Sequence, residues 1–333
     1  MWSLANHTPY LAERTWIQDS EGARHWVVVV KATWSILEDG STKLADEQVD
    51  PQHLPVYRGD DGISSLIYEQ DLIAGKPGTD VYLNASAYAP RGRATSHVEV
   101  SLKVGKRMKT LDVYGERYFK RNLFGRIVAS RPARFESLPV IYEYAYGGYD
   151  KSHSNPNKHR MFEPNPVGRG HVTRPSSRID QPAPSVESKR DANRVAAGFG
   201  AVCSYWLPRR AFAGTYDDKW LNERKPLLPH DFDPRFHMCA PPDQQFTPHL
   251  RGGELVELVN LSPRPLIRFE IPKVYLRFTS AFGSETREHR AKLDTVIIEP
   301  DHPRVVTVWH TSLACHHDAD YLDECAIDEL EYI

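Results

Sequence analysis

Short runs of alternating polar and apolar residues, each closed by glycine or proline, recur along this 333-residue chain. In Asp80–Tyr88 (DVYLNASAY), Val81, Leu83, Ala85 and Ala87 fall on one face, and Tyr82, Asn84, Ser86 and Tyr88 on the other. His97–Val104 (HVEVSLKV) repeats the pattern, Gly105-Lys106 makes a turn, and Lys109–Tyr114 returns. A period of two marks half-buried strands, because successive side chains point to opposite faces. No amphipathic helix of ordinary length interrupts these runs. The pattern is that of an antiparallel meander and not of alternating strands and helices.

Other segments extend the reading. His25–Ile36 (HWVVVVKATWSI) is continuously apolar at Val27–Val30, which suits a strand buried on both faces. Glu38-Asp39-Gly40 turns it back into Ser41–Ala45. Val140–Ala145 (VIYEYA) is a further strand candidate before Gly147-Gly148. From Tyr149 to about Arg251, Pro, Gly, Asn and Ser crowd in and periodicity fades. Its aromatic content argues that most of this stretch is ordered, since disordered chains are poor in aromatics. Ser176–Arg194, polar and Pro-rich, is the exception and is expected to be mobile. Asp217–Arg224 suits two helical turns with Asp217 as cap. Strands resume at Glu254–Leu261, Pro265–Glu270, Val274–Thr279, Lys292–Glu299 and Val305–His310. Asp318–Tyr332 fits either a short helix or a final edge strand. The expected fold is mainly β: an antiparallel, two-sheet, β-sandwich-like scaffold with a long loop-rich central segment and minor helix. Three regions follow: 1–148, β; 149–253, loop-rich; and 254–333, β, packing with the first.

Charge and composition narrow the function. Hydrophobic residues make up 40% and charged residues 26%, as in globular proteins. A formal net charge of −2 disfavours nucleic-acid binding through a global positive field. The start, MWSLANHTPYLAER, lacks a basic stretch followed by an apolar run, and no apolar run approaches the ~18–20 residues that span a bilayer. Four scattered cysteines suit a reducing compartment. The expectation is a cytoplasmic protein with neither membrane nor nucleic acid as partner.

Candidate chemistry is sparse. Cys315-His316-His317 has the composition of a metal cluster, yet its spacing matches no compact zinc signature, so no metal or other cofactor is expected. Asp217-Asp218, Asp231 with Asp233, and Asp243 offer carboxylates for hydrolysis, but each sits in a turn context where Asp bonds to nearby backbone. The glycine motifs lack the strand–loop–helix context of a phosphate cradle. No catalytic residue is assigned. Trp206, Tyr216, Trp220, Phe232 and Phe236 are dense enough to anchor a partner, the alternative being a satellite core under the loops. Arg169 and Arg251, flanked by glycine, are candidates for buried pairing or for a partner's carboxylates.

An ordered set of motifs spans most of the chain: NHTP at Asn6–Pro9, VVVVKATW at Val27–Trp34, GKPGTD at Gly75–Asp80, YEYAYGG at Tyr142–Gly148, and NPVGRG at Asn165–Gly170. WLPR at Trp206–Arg209, AGTYD at Ala213–Asp217, LPHDFDPRF at Leu228–Phe236, APPDQ at Ala240–Gln244 and LRGGE at Leu250–Glu254 follow. In these the chain resembles a bacterial domain-of-unknown-function family encoded beside type VI secretion genes. Members of that family are regarded as adaptors or chaperones. They help load effectors onto a spike built from a trimeric spike protein and a PAAR-repeat tip. The resemblance implies a non-catalytic adaptor whose partners are a type VI effector and the PAAR or spike protein. Two alternatives stand beside it. One is a carbohydrate-active or metal-dependent hydrolase using Asp217, Asp231, Asp233 and Asp243. The other is a structural component of the secreted spike. The short motifs themselves read as turn and packing devices.

Overall fold

In the computed structural model, which describes residues 2–189, 195–315 and 322–330, the Val-rich strand lies next to one edge of a seven-stranded sheet. Across that sheet the order is Gln245–Phe246, Thr79–Leu83, Lys292–Glu299, Arg304–Cys315, Arg24–Ile36 and Leu11–Gln18. Thr42–Leu44 also pairs with Arg24–Ile36 as the expected return strand. Strand Thr79–Leu83 runs parallel to Lys292–Glu299, and the other pairings are antiparallel. The sheet is therefore mixed, a departure from the purely antiparallel reading. Pairing partners this far apart in sequence leave no local signal of direction.

Two further sheets complete the scaffold. A five-stranded antiparallel sheet is ordered Val186–Ser188, Arg107–Tyr114, His97–Val104, Leu255–Val259, Leu266–Glu270. A four-stranded sheet is ordered Ser3–Asn6, Glu324–Glu329, Leu276–Phe282, Glu285–Arg290. Glu324–Glu329 lies between two partners and so is an inner strand. Its alternation, with Cys325 and Ile327 buried, decides between the helix and strand readings.

Alternation places the core. Val28, Val30, Val81, Leu83, Val296 and Ile298 of the large sheet share one core with Val100, Leu102 and Val256 of the five-stranded sheet and Phe278 and Ile327 of the four-stranded sheet. The intervening residues face the other way. Tyr82, Ile297 and Val306 pack under the central segment against Ala201, Val202, Cys203, Trp206 and Cys239. Val27, Val29 and Val308 form a third small cluster on that face. The large sheet is thus covered on both faces, which is why the Val27–Val30 run is continuously apolar.

Several expectations change. Val140–Ala145 is no strand: Tyr142–Tyr144 forms a 3₁₀ turn that tucks the Tyr142 ring against Trp206, with ring centroids 5.4 Å apart. Ser176–Arg194 is largely built in. Pro175–Arg178 is a 3₁₀ turn, Ala183 to Val186 is buried, and Val186–Ser188 pairs in the five-stranded sheet. Residues 190–194 of that stretch lie outside the described residues. The helix is found at Asp218–Glu223, with the Asp217 carboxylate accepting from the Trp220 amide at 2.8 Å.

Candidate functional site

The motifs converge first on a buried seam between the large sheet and the loop layer. Lys76 donates from Nζ to Asp80 Oδ2 at 2.7 Å and to Thr295 Oγ1 at 2.8 Å. Asp80 also accepts from the Cys239 and Ala240 amides at 2.8 and 3.1 Å. Burial works against the Lys76 ammonium, but the Asp80 and Asp294 carboxylates outweigh it and its pKa rises. Nearby, Lys31 pairs with Asp71 at 2.7 Å, and the Arg209 guanidinium pairs with Glu69 while donating to the Val202 carbonyl. Gly75 and Gly78 let the backbone into this space. A Cβ on Gly75, at φ +103°, would stand 3.0 Å from the His310 ring, and one on Gly78 would stand 2.3 Å from the Phe246 carbonyl oxygen. GKPGTD is therefore a packing motif that fastens loops to sheet. NPVGRG acts alike: Asn165 is buried and donates to the Tyr142 and Tyr146 carbonyls at 2.8 and 3.1 Å.

The carboxylates considered for catalysis hold local structure. Asp217 caps its helix, and Asp231 accepts from the Thr215 amide and hydroxyl at 2.9 and 2.7 Å. Asp233 caps the 3₁₀ turn Pro234–His237, and Asp243 pairs with Lys109 at 2.9 Å. Asp217 and Asp231 line one shallow cavity of about 170 Å³ beside His230. Asp231 is held below the usual carboxylate range by its bonds to Thr215. All four cysteines are buried; burial pushes the Cys315 thiol up to about 11 and that of Cys203 up to about 12. His316 and His317 lie outside the described residues. Among the described residues, no three His, Cys, Asp or Glu side chains gather as a metal ion would require.

The candidate partner-binding residues separate. Trp206 is wholly buried beneath the loops, so it is core. Tyr216 is 54% exposed and packs on Trp220 at 4.7 Å; the Trp220 indole donates to the Leu227 carbonyl at 2.9 Å. Phe232 and Phe236 are half-buried and meet edge to face at 5.8 Å. Arg169 lies over the Tyr144 ring at 4.2 Å and donates to the Glu143 carbonyl. Of these candidates, Arg251 alone lines a broad cavity.

That cavity is a groove of about 670 Å³, in the size range of ligand sites. It opens where the large and four-stranded sheets part. Leu250, Val274, Leu276, Leu293 and Trp309 give it an apolar floor, and His249, Arg251, Arg290 and Lys292 lie on its rim. Arg251, Arg290 and Lys292 are exposed, and among the described residues none of the three has an ion-pair partner. His249 is 3.3 Å from Asp294 and hydrogen-bonded to the Lys76 carbonyl at 3.1 Å, so the groove wall is tied to the buried seam. Among the described residues, none that lines the groove is a carboxylate, Ser, Thr or Cys. Apart from Arg251, the groove was not visible in the sequence. Its walls come from Pro248–Arg251, Val274–Leu276 and Arg290–Leu293, which share no motif.

A family model described as an uncharacterized protein conserved in bacteria, DUF2169, matches residues 21–310. The chain belongs to this family. The matched span of DUF2169 takes in the whole seam and the groove floor as far as Trp309, and stops before Leu330 at the groove's end and the strand Glu324–Glu329. No curated protein and no solved structure matches the chain.

Proposed function

We propose that this DUF2169 chain is a non-catalytic adaptor that holds a type VI secretion effector in the cytoplasm and helps load it onto the spike and its PAAR tip. The groove carries the proposal. It offers apolar area and three exposed cations that have no ion-pair partner among the described residues, and no described residue of its lining is a Ser, Thr, Cys or carboxylate. Such a site suits an apolar segment bearing carboxylates, with the cations choosing the partner and the floor supplying contact area. The hydrolase alternative has less support, because Asp217, Asp231, Asp233 and Asp243 are engaged in caps, a turn and an ion pair.

Co-purification from the native bacterium, with the product of the adjacent effector gene as the target, tests the proposal. The expected outcome is a stable complex. Joint substitution of Arg251→Glu and Arg290→Glu should weaken it about tenfold or more, by placing like charges against the partner. The thermal midpoint should hold, because both side chains are exposed. Recovery of neither an effector nor a spike or PAAR protein would sink the adaptor reading.

A further inference from the structure

Away from the groove, strands Phe119–Arg121 and Ile127–Ala129 form a hairpin that projects from the loop layer. Its tip is apolar and bare: Leu123 is 101% exposed and Phe124 87%. Exposed leucines are ordinary singly, but two adjacent large apolar side chains at an apex are not. The tip is also braced. The Asn122 carboxamide accepts from the Phe124 and Arg126 amides at 3.0 and 2.9 Å, and Gly125 takes φ +78° to close the turn. The base is fixed by exchange between Phe119 and the 180–181 backbone, at 2.9 and 3.0 Å. Charge is segregated here as well. Between Arg117 and Arg134 stand six cations and no carboxylate, in a chain of net charge −2. Arg117 is buried against Glu187. Lys120, Arg121, Arg126, Arg131 and Arg134 are exposed, and among the described residues none of the five forms an ion pair. The nearest acids in sequence are Glu116, which accepts from the Tyr118 hydroxyl, and Glu136.

We propose that this hairpin is a docking arm that seats Leu123 and Phe124 in an apolar pocket of an acidic partner protein. The cations behind the tip match an acidic rim, and they would speed encounter and select the partner. A protein pocket is favoured over a lipid surface because the turn is held in one shape. Preorganisation raises affinity for a complementary cavity and gains little against a fluid bilayer. The inference does not rest on the adaptor reading.

Phe124→benzoylphenylalanine in the full chain, expressed in the native bacterium and irradiated, tests the arm. Met108→benzoylphenylalanine, at a position 69% exposed on another hairpin, is the control. The expected result is an adduct with one acidic protein from position 124 and not from 108. Combining Lys120→Glu, Arg121→Glu and Arg126→Glu should lower its yield about tenfold or more, through like-charge repulsion. The unfolding midpoint should not move, since these side chains are exposed. No protein adduct, an adduct with lipid alone, or a yield indifferent to charge reversal would each overturn the proposal. An adduct with a protein that is neither effector, spike nor PAAR tip would leave the arm standing and count against the adaptor reading.

Discussion

Lys31 stands on a covered face of the large sheet, and Lys76 and Arg209 are buried in the loops packed over it, where aliphatic side chains are the rule. Each is tolerated because a carboxylate meets it: Asp71, Asp80 and Glu69. Pairs of this kind add little net stability over apolar residues of equal size, yet leaving one partner alone is costly. A seating of the loops that separated any of these pairs would leave a buried charge alone, so the pairs disfavour other seatings. His237 sits beside this network as a titratable weak point. Burial, with the positive charges of Arg209 and Lys76, lowers its pKa to about 4. A histidine in the unfolded chain titrates near 6.5, so below that pH the unfolded state binds a proton that the folded state refuses. Stability should hold above pH 6.5 and fall as pH drops toward 4, by about 3 kcal/mol at most from this group. Denaturant titration across that window checks it. His237→Leu should flatten the slope, and an unchanged slope would assign the loss to other groups.

Among the elements, the helix Asp218–Glu223 is only six residues long, too short to stand without its cap and its packing. Asp217→Ala should cost about 1 kcal/mol. Because Trp220 and Leu221 meet solvent on one side, the loss should show mainly as faster amide exchange at those residues. Equal exchange with and without the carboxylate would dismiss the cap. This helix was legible in the sequence because its signal is local: an Asp, then good helix formers. The strands Arg24–Ile36, His97–Val104 and Lys292–Glu299 were legible for the same reason, their periodicity being written in consecutive residues. Leu11–Gln18 and Glu285–Arg290 were missed. Both lie at sheet edges, and polar side chains on their open faces erase the alternation. The candidate site was legible only in part. Trp206, a candidate partner anchor with a satellite core as the alternative, is core, and Arg251 marked the groove rim. The groove floor is assembled from positions such as Leu276, Leu293 and Trp309, which in sequence look like ordinary core.

For the molecule as a whole, the large sheet joins the two ends of the chain. The Thr307 hydroxyl donates to the Ala32 carbonyl across 275 residues, and strand Arg304–Cys315 fills the place between Arg24–Ile36 and Lys292–Glu299. A chain ended at residue 253 would keep Val27–Val30 and its neighbour Leu11–Gln18 but lose Arg304–Cys315, the strand that pairs along its other edge. Such a truncation should be insoluble or lack a cooperative unfolding transition, even though it retains nearly every signature motif. A cooperative transition in that fragment would show that the first two regions fold alone. The same topology bears on synthesis. At roughly 5–20 residues per second, the ribosome delivers Arg304–Cys315, the second partner of the valine strand, something like 15–55 s after the strand itself. Through that interval one edge of a strongly β-forming strand waits without its neighbour. A protein proposed to escort others would thus begin its own life in need of an escort.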